Sequence, residues 1–139
     1  METIGSIKED LDIEKRISVT PETVKKFNGL DFAINLEQNY SEHLKINDEE
    51  YKSHGARFSV SKKEVLEQSN IILKVNCPSL EEVNLIKNKS VLIGQFDPNF
   101  NKDTIDKLIK KDIKVFSLNL LPRITRAQSM DVLSSQANL

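Results

Sequence analysis

The sequence is poor in several residue types. Among its 139 residues, Cys77 is the one cysteine, tryptophan is absent, and glycine and proline number four each. One cysteine excludes an internal disulfide and fits a reducing, intracellular setting. Neither sign of charge predominates: 20 basic residues face 21 acidic ones, for a formal net charge of -1. That balance gives no general reason to expect nucleic acid or an anionic membrane as partner. No apolar run approaches the roughly 20 residues a membrane span requires. The opening METIGSIKED lacks the apolar core of a signal peptide. Any work at a membrane would need spans supplied by other chains or segments. There is no GxGxxG, no P-loop, and no grouping of Cys with His, so a phosphate cradle of the usual kind and a metal centre are both unsupported.

The length suits one domain with a real core. Short apolar runs alternate with capped, amphipathic segments. TIGSI (3–7) reads as a strand, KEDLDIEKR as a polar loop and ISVT as extended chain. Thr20-Pro21 predicts a helix start and Asn28-Gly29 its end. DFAINLE (31–37) is strand-like, and the loop around 37–46 is the most irregular part. Asn47 with Glu50, and Ser61 with Glu64, have capping-box spacing, predicting helices near 48–54 and 62–69; Gly55 sits where a left-handed cap is expected. NIILKVN (70–76), SVLIGQF (90–96) and IKVFSLN (113–119) read as buried strands, and TIDKLIKKD (104–112) as a helix. Strands separated by helices predict an α/β fold: an open, mostly parallel sheet with crossover helices, a Rossmann- or flavodoxin-like lobe.

In such sheets ligands meet the carboxyl ends of the strands. Lys74 and Asn76 close one predicted strand, Asp97 follows the next, and Arg123 follows the last. Arg16 lies in the loop after the first. Its guanidinium could bind a carboxylate or phosphate, or form a surface ion pair. Loop polarity alone would produce a similar set. His54, beside Gly55 at a helix end, suits a role with the helix dipole better than catalysis, because it has no evident orienting partner.

The segment LPRITRAQSMDVLSSQANL (121–139) reads as a helix from Thr125 onward. At about 100° per residue, Gln128, Asp131 and Ser135 share a face, with Ser134 and Asn138 at its margin. Met130, Leu133 and Ala137 form the opposite, apolar face. A solvated surface helix commonly carries Lys and Glu; from 127 to 139 this one has Asp131 among Gln, Ser and Asn. Short, uncharged donors and acceptors suit contact with a carboxamide ligand or another protein surface as well as with water.

PRITRAQSMDVLSSQAN resembles the corresponding stretch of the alpha subunit in proton-translocating NAD(P) transhydrogenases. IGSIKED, EKRISVTPETVKK, DEEYKSHGA and IILKVNCPS follow in the same order as in the N-terminal domain shared by alanine dehydrogenase and transhydrogenase. The resemblance covers essentially all of residues 1–139. It implies hydride transfer from NADH, held on this component, to NADP+ on a partner component, coupled to proton translocation. It assigns Arg123, Gln128, Asp131 and Ser134 to the nicotinamide end of NAD(H), with no residue required as a proton donor. It further implies a homodimer of the NAD component, NADP-binding and transmembrane partner components, and a cytoplasmic position peripheral to the inner membrane through those partners. Alanine dehydrogenases carry a second Lys where this chain has Asn76, and a His after the next strand that GQFDPNF lacks. Those departures argue against an alanine dehydrogenase. The family also places a Gly-rich Rossmann domain after this region, so residues 1–139 are expected to be an N-terminal fragment with half the cofactor cleft. A different amino-acid dehydrogenase built on this lobe, and a non-catalytic interaction module whose partner face is the terminal helix, are the competing readings.

Overall fold

A computed structural model describes residues 2–96 and 101–117. Six strands form one sheet in the order β3-β2-β1-β4-β5-β6. They are β1 (Thr3–Ser6), β2 (Ala33–Glu37), β3 (Arg57–Ser59), β4 (Ile71–Leu73), β5 (Val91–Gly94) and β6 (Lys114–Ser117). All five pairings are parallel. This is the Rossmann order, with its reversal between β1 and β4. It settles the choice that the sequence pattern left between Rossmann-like and flavodoxin-like windings.

The helices are α1 (Pro21–Gly29), α2 (Asp48–Ser53), α3 (Lys62–Gln68), α4 (Leu80–Leu85) and α5 (Lys102–Lys110). Their starts are chemically marked. Thr20, Asn47 and Ser61 each accept from the backbone N–H three residues on, a bond worth about 1 kcal/mol per helix. The reciprocal capping box occurs at Ser79 and Glu82, opening α4, a helix the sequence reading passed over. Gly55 closes α2 with φ of +108°, as its position predicted.

Two apolar layers sandwich the sheet. On one face Ile4, Ile34, Leu36 and Leu73 pack with Val24 of α1 and Tyr51 of α2. On the other, Ile7, Ile72 and Leu92 pack with Val65 and Leu66 of α3, Val83 of α4 and Leu108 of α5. Each fully buried aliphatic contributes about 1.5–3 kcal/mol. β6 departs from expectation. It is an edge strand rather than a buried one: Val115 packs inward, while Phe116 is half-exposed and Lys114 exposed. No helix among the described residues covers its second face. Ile109, which has helical spacing with Ile105 and Leu108, points outward from α5. The three-residue strand β3 was also missed, being too short to show alternation.

Candidate functional site

Because every pairing is parallel, the carboxyl ends of β1, β4 and β5 open onto one edge of the sheet. In a Rossmann turn, a short glycine-rich loop links the first strand to the first helix and cradles phosphate. Here residues 7–20 intervene between β1 and α1, and their first task is electrostatic. The Glu9 carboxylate accepts from the backbone N–H of Val75 at 2.8 Å and of Asn76 at 3.1 Å. It also pairs with Lys74 Nζ at 3.0 Å, with both side chains nearly fully buried, at 3% and 4% exposure. Glu9 thus ties the loop after β1 to the end of β4, at the point where the strand order reverses. Two amide donors and one ammonium satisfy a carboxylate that could not otherwise be buried.

A second pair lies along the same edge. Arg16 grips Glu14 with two prongs, Nε to Oε2 at 2.8 Å and Nη2 to Oε1 at 2.9 Å. Its Nη1 donates to Gln95 Oε1 at 3.2 Å, just beyond β5. The hydrogen bonds from Arg16 hold the Glu14 carboxyl below its ordinary range, outweighing partial burial, and a hydrogen bond from the Asn76 amide adds to the effect. Asn76 is tied to the first pair through its backbone N–H, which donates to Glu9. β4 and β5 stay paired past their ends through Lys74 N–H to Ile93 and Gln95 N–H to Val75. Gly94 makes that possible, since a Cβ there would lie 2.1 Å from the Lys74 carbonyl oxygen.

Buried tyrosines fix the loop that carries Arg16. Ser6 Oγ donates to the Leu73 carbonyl at 2.7 Å, so the Tyr40 hydroxyl must donate to Ser6, at 2.8 Å. Tyr40 then accepts from the Ser18 N–H at 3.1 Å. Tyr51 donates to the Val19 carbonyl at 2.8 Å and accepts from Ser41. The two rings meet edge to face at 5.8 Å. Burial pushes both phenols up, Tyr51 to about 12. Neither ionises near neutrality; they are fasteners for the 17–19 segment.

On the α3–α5 side, a cleft of about 490 Å³ runs beside the Glu9–Lys74 pair, lined among others by Asp10, Lys62, Cys77 and Glu82. Lys62 and Glu82 pair across it at 2.8 Å. Burial raises the Cys77 thiol to about 11, so it is protonated near neutrality and a poor nucleophile.

Of the residues singled out in the sequence, Arg16, Lys74 and Asn76 come together on this edge. Arg16 forms the ion pair that was one of its two readings, with Glu14. Asp97, Arg123, Gln128, Asp131 and Ser134 lie outside the described residues. His54 is structural: its Nδ1 lies 2.8 Å from the Glu50 carbonyl oxygen at the end of α2. Sequence reasoning missed Glu9, Glu14 and Gln95. The available signal was their place, acidic or amide residues directly after strands or two residues before Arg16. Among the described residues no group of acids, His and Cys could hold a metal, and no helix is long and apolar enough to cross a membrane.

Residues 5–139 match the N-terminal domain of the alanine dehydrogenase/PNT family. The chain belongs to that family. It is 37% identical over 131 residues to an NAD(P) transhydrogenase alpha-subunit chain of Rhodospirillum rubrum, covering 91% of this chain and 34% of that relative. The crystal structure of transhydrogenase from Sinorhizobium meliloti superposes with a TM-score of 0.88 at 37% identity, over 99% of this chain and 41% of the other. An L-alanine dehydrogenase shares the fold, with a TM-score of 0.78 at 19% identity, over 84% of this chain and 32% of that one. The chain thus spans about a third of the length of the relatives it matches.

Proposed function

We propose that the chain is the N-terminal lobe of the NAD(H)-binding component of NAD(P) transhydrogenase. The whole protein transfers hydride from NADH to NADP+ bound on a partner component, and couples this to proton translocation through a membrane component. The observation that carries the reading is the 37% identity to a transhydrogenase alpha subunit over nearly the whole chain. Asn76, in place of the second Lys of alanine dehydrogenases, supports it over an amino-acid dehydrogenase. Residues 1–139 then form one domain, with a Gly-rich Rossmann domain following it in the whole protein.

The described edge offers hydrogen-bonding groups and no glycine-rich turn. Those residues fit one wall of a cofactor cleft, and the pyrophosphate cradle falls to the following domain. NADH, when bound, supplies the hydride. The protein has to orient the ring and exclude water, so positioning carries much of the rate. In this reading Arg123 and Asp131 fix the carboxamide and its surroundings, while Gln128 and Ser134 orient the ring. The component works as a homodimer, on the cytoplasmic side of the inner membrane, held there by its partners.

The test is hydride transfer in the whole protein assembled with its partner components. Gln128→Ala and Asp131→Ala are each expected to slow single-turnover transfer about tenfold or more, equivalent to roughly 1.4 kcal/mol of lost positioning, with unfolding midpoints unchanged. Wild-type rates in both variants would sink the site assignment. NADH oxidation driven by pyruvate would revive the dehydrogenase reading.

A further inference from the structure

The two faces of the sheet are not covered alike. On one, α3, α4 and α5 lie over Ile72 and Leu92, and the layer reaches Val115 at the edge. On the other, α1 packs on β2 and α2 on β3, at the opposite end of the strand order from β6. Among the described residues, no helix on that side packs closely on β5 or β6.

The register defines what is left bare. Leu73, Ile93 and Phe116 form one row across three neighbouring strands, and Ile71, Val91 and Lys114 form the next. Exposure rises along the first row toward the edge: Leu73 is 5% exposed, Ile93 is partly buried, and Phe116 is 54% exposed. A strand with one solvated face alternates apolar and polar residues, whereas a strand covered on both sides is apolar throughout. β5 is of the second kind: Val91 and Ile93, on the bare side, are as apolar as Leu92 beneath the helices. Its composition suits a cover that α1 to α5 do not supply.

The next segment of the chain has the reach and the pattern for it. β6 ends at Ser117, on the carboxyl edge, and α5 already fills the other face beside it. A helix from Thr125 that turns back along the sheet would run over the bare face. At about 1.5 Å per residue, 125–139 spans about 20 Å, against roughly 13 Å for a strand of β6's length. Its apolar stripe is Met130, Leu133 and Ala137, spaced by three and four residues. With that stripe on the sheet, Gln128, Asp131 and Ser135 turn away from it.

We infer that the bare face of β5 and β6 is the seat of residues 125–139, docked as a helix through Met130, Leu133 and Ala137. The inference rests on the helical spacing of that segment and on no property of a cofactor, so it stands or falls apart from the transhydrogenase reading.

The chain has no tryptophan, so Phe116→Trp places a single reporter on the face. In the 139-residue chain its emission is expected to be blue-shifted and shielded from acrylamide, equally at low and high protein concentration. Met130→Asp and Leu133→Asp, each added to the reporter, remove a buried apolar side chain and would bury a charge. Each is expected to shift docking about tenfold or more toward the open form, so that emission moves to the red and quenching rises. Ser135→Asp, on the opposite helix face, should change neither. Unmoved amide NMR signals in β1 and β2 separate undocking from unfolding, and Leu133→Ala, a milder change, replaces any variant in which those signals move. The inference is overturned if the reporter is open to quencher in the parent chain, or if its shielding survives the changes at both Met130 and Leu133. It is equally overturned if shielding grows with protein concentration, which would make the cover a second copy of the chain.

Discussion

Two ion pairs share one edge of the sheet, and each takes its glutamate from the loop after β1; the cation is Lys74, just past β4, in one and Arg16, of the same loop, in the other. Their surroundings differ. Glu9–Lys74 is nearly sealed from water, whereas the Arg16 side chain is 39% exposed. Coulomb attraction between unit charges grows several-fold as water is excluded, and so does the cost of leaving one charge alone. Breaking the buried pair therefore carries the larger penalty, and breaking the open one the smaller. Chemical identity does not separate these penalties; burial does.

The contrast is broken most severely at Lys74. Lys74→Ala strands the Glu9 carboxylate and is expected to cost about 3–5 kcal/mol in urea unfolding. Pairing Lys74→Met with Glu9→Gln removes both charges, and should restore most of that loss, because the charges are a penalty once unmatched rather than a source of stability in themselves. A double variant as unstable as Lys74→Ala would refute the burial account.

Tyr40→Phe comes next. It leaves the buried Ser18 N–H without its acceptor, at an expected cost of about 1–3 kcal/mol in thermal or urea unfolding, and it should loosen the segment that carries Arg16. Unchanged stability together with an unchanged Arg16 side-chain NMR signal would show that the clamp is not needed.

The open pair should respond mainly to pH. Glu14 has its folded pKa lowered by the Arg16 hydrogen bonds, so its contribution is complete above the ordinary carboxylate range and disappears as pH falls through the lowered value. Arg16→Ala is expected to cost about 0–1 kcal/mol near neutrality and to flatten that acid limb. Stability curves from pH 3 to 7, compared between wild type and variant, check this. Parallel curves would count against the pairing.

The smallest effect is expected at Ser18, whose buried hydroxyl has no hydrogen-bond partner among the described residues. Ser18→Ala removes an unsatisfied group, so stability should hold or rise by up to about 1 kcal/mol. A loss of 1 kcal/mol or more in urea unfolding would reveal a partner for that hydroxyl.

Much of this architecture was legible from local chemistry. Thr20-Pro21, Asn47 and Ser61 announced their helices because a cap is written in adjacent residues. The runs at 70–76 and 90–96 announced interior strands because both faces are covered. Strand order was not legible, since pairing joins residues far apart; neither was the edge position of β6, which depends on what fails to cover Phe116. At the site, Lys74 and Asn76 were placed on one edge from topology alone, and Arg16 only in the loop after the first strand. Glu9 stayed hidden in a stretch that reads as a polar loop, because its partners lie 65–67 residues away. A buried carboxylate is recognisable only once its donors are found.

Where β1 and β4 part, the Glu9 side chain takes the hydrogen-bonding place that a strand carbonyl would otherwise fill. The protection of the Val75 and Asn76 amides against hydrogen exchange is thereby handed from the backbone to a single side chain. These two protons report on the integrity of one carboxylate, and a change at Glu9 would be read out in their exchange rates before it reached the strands on either side.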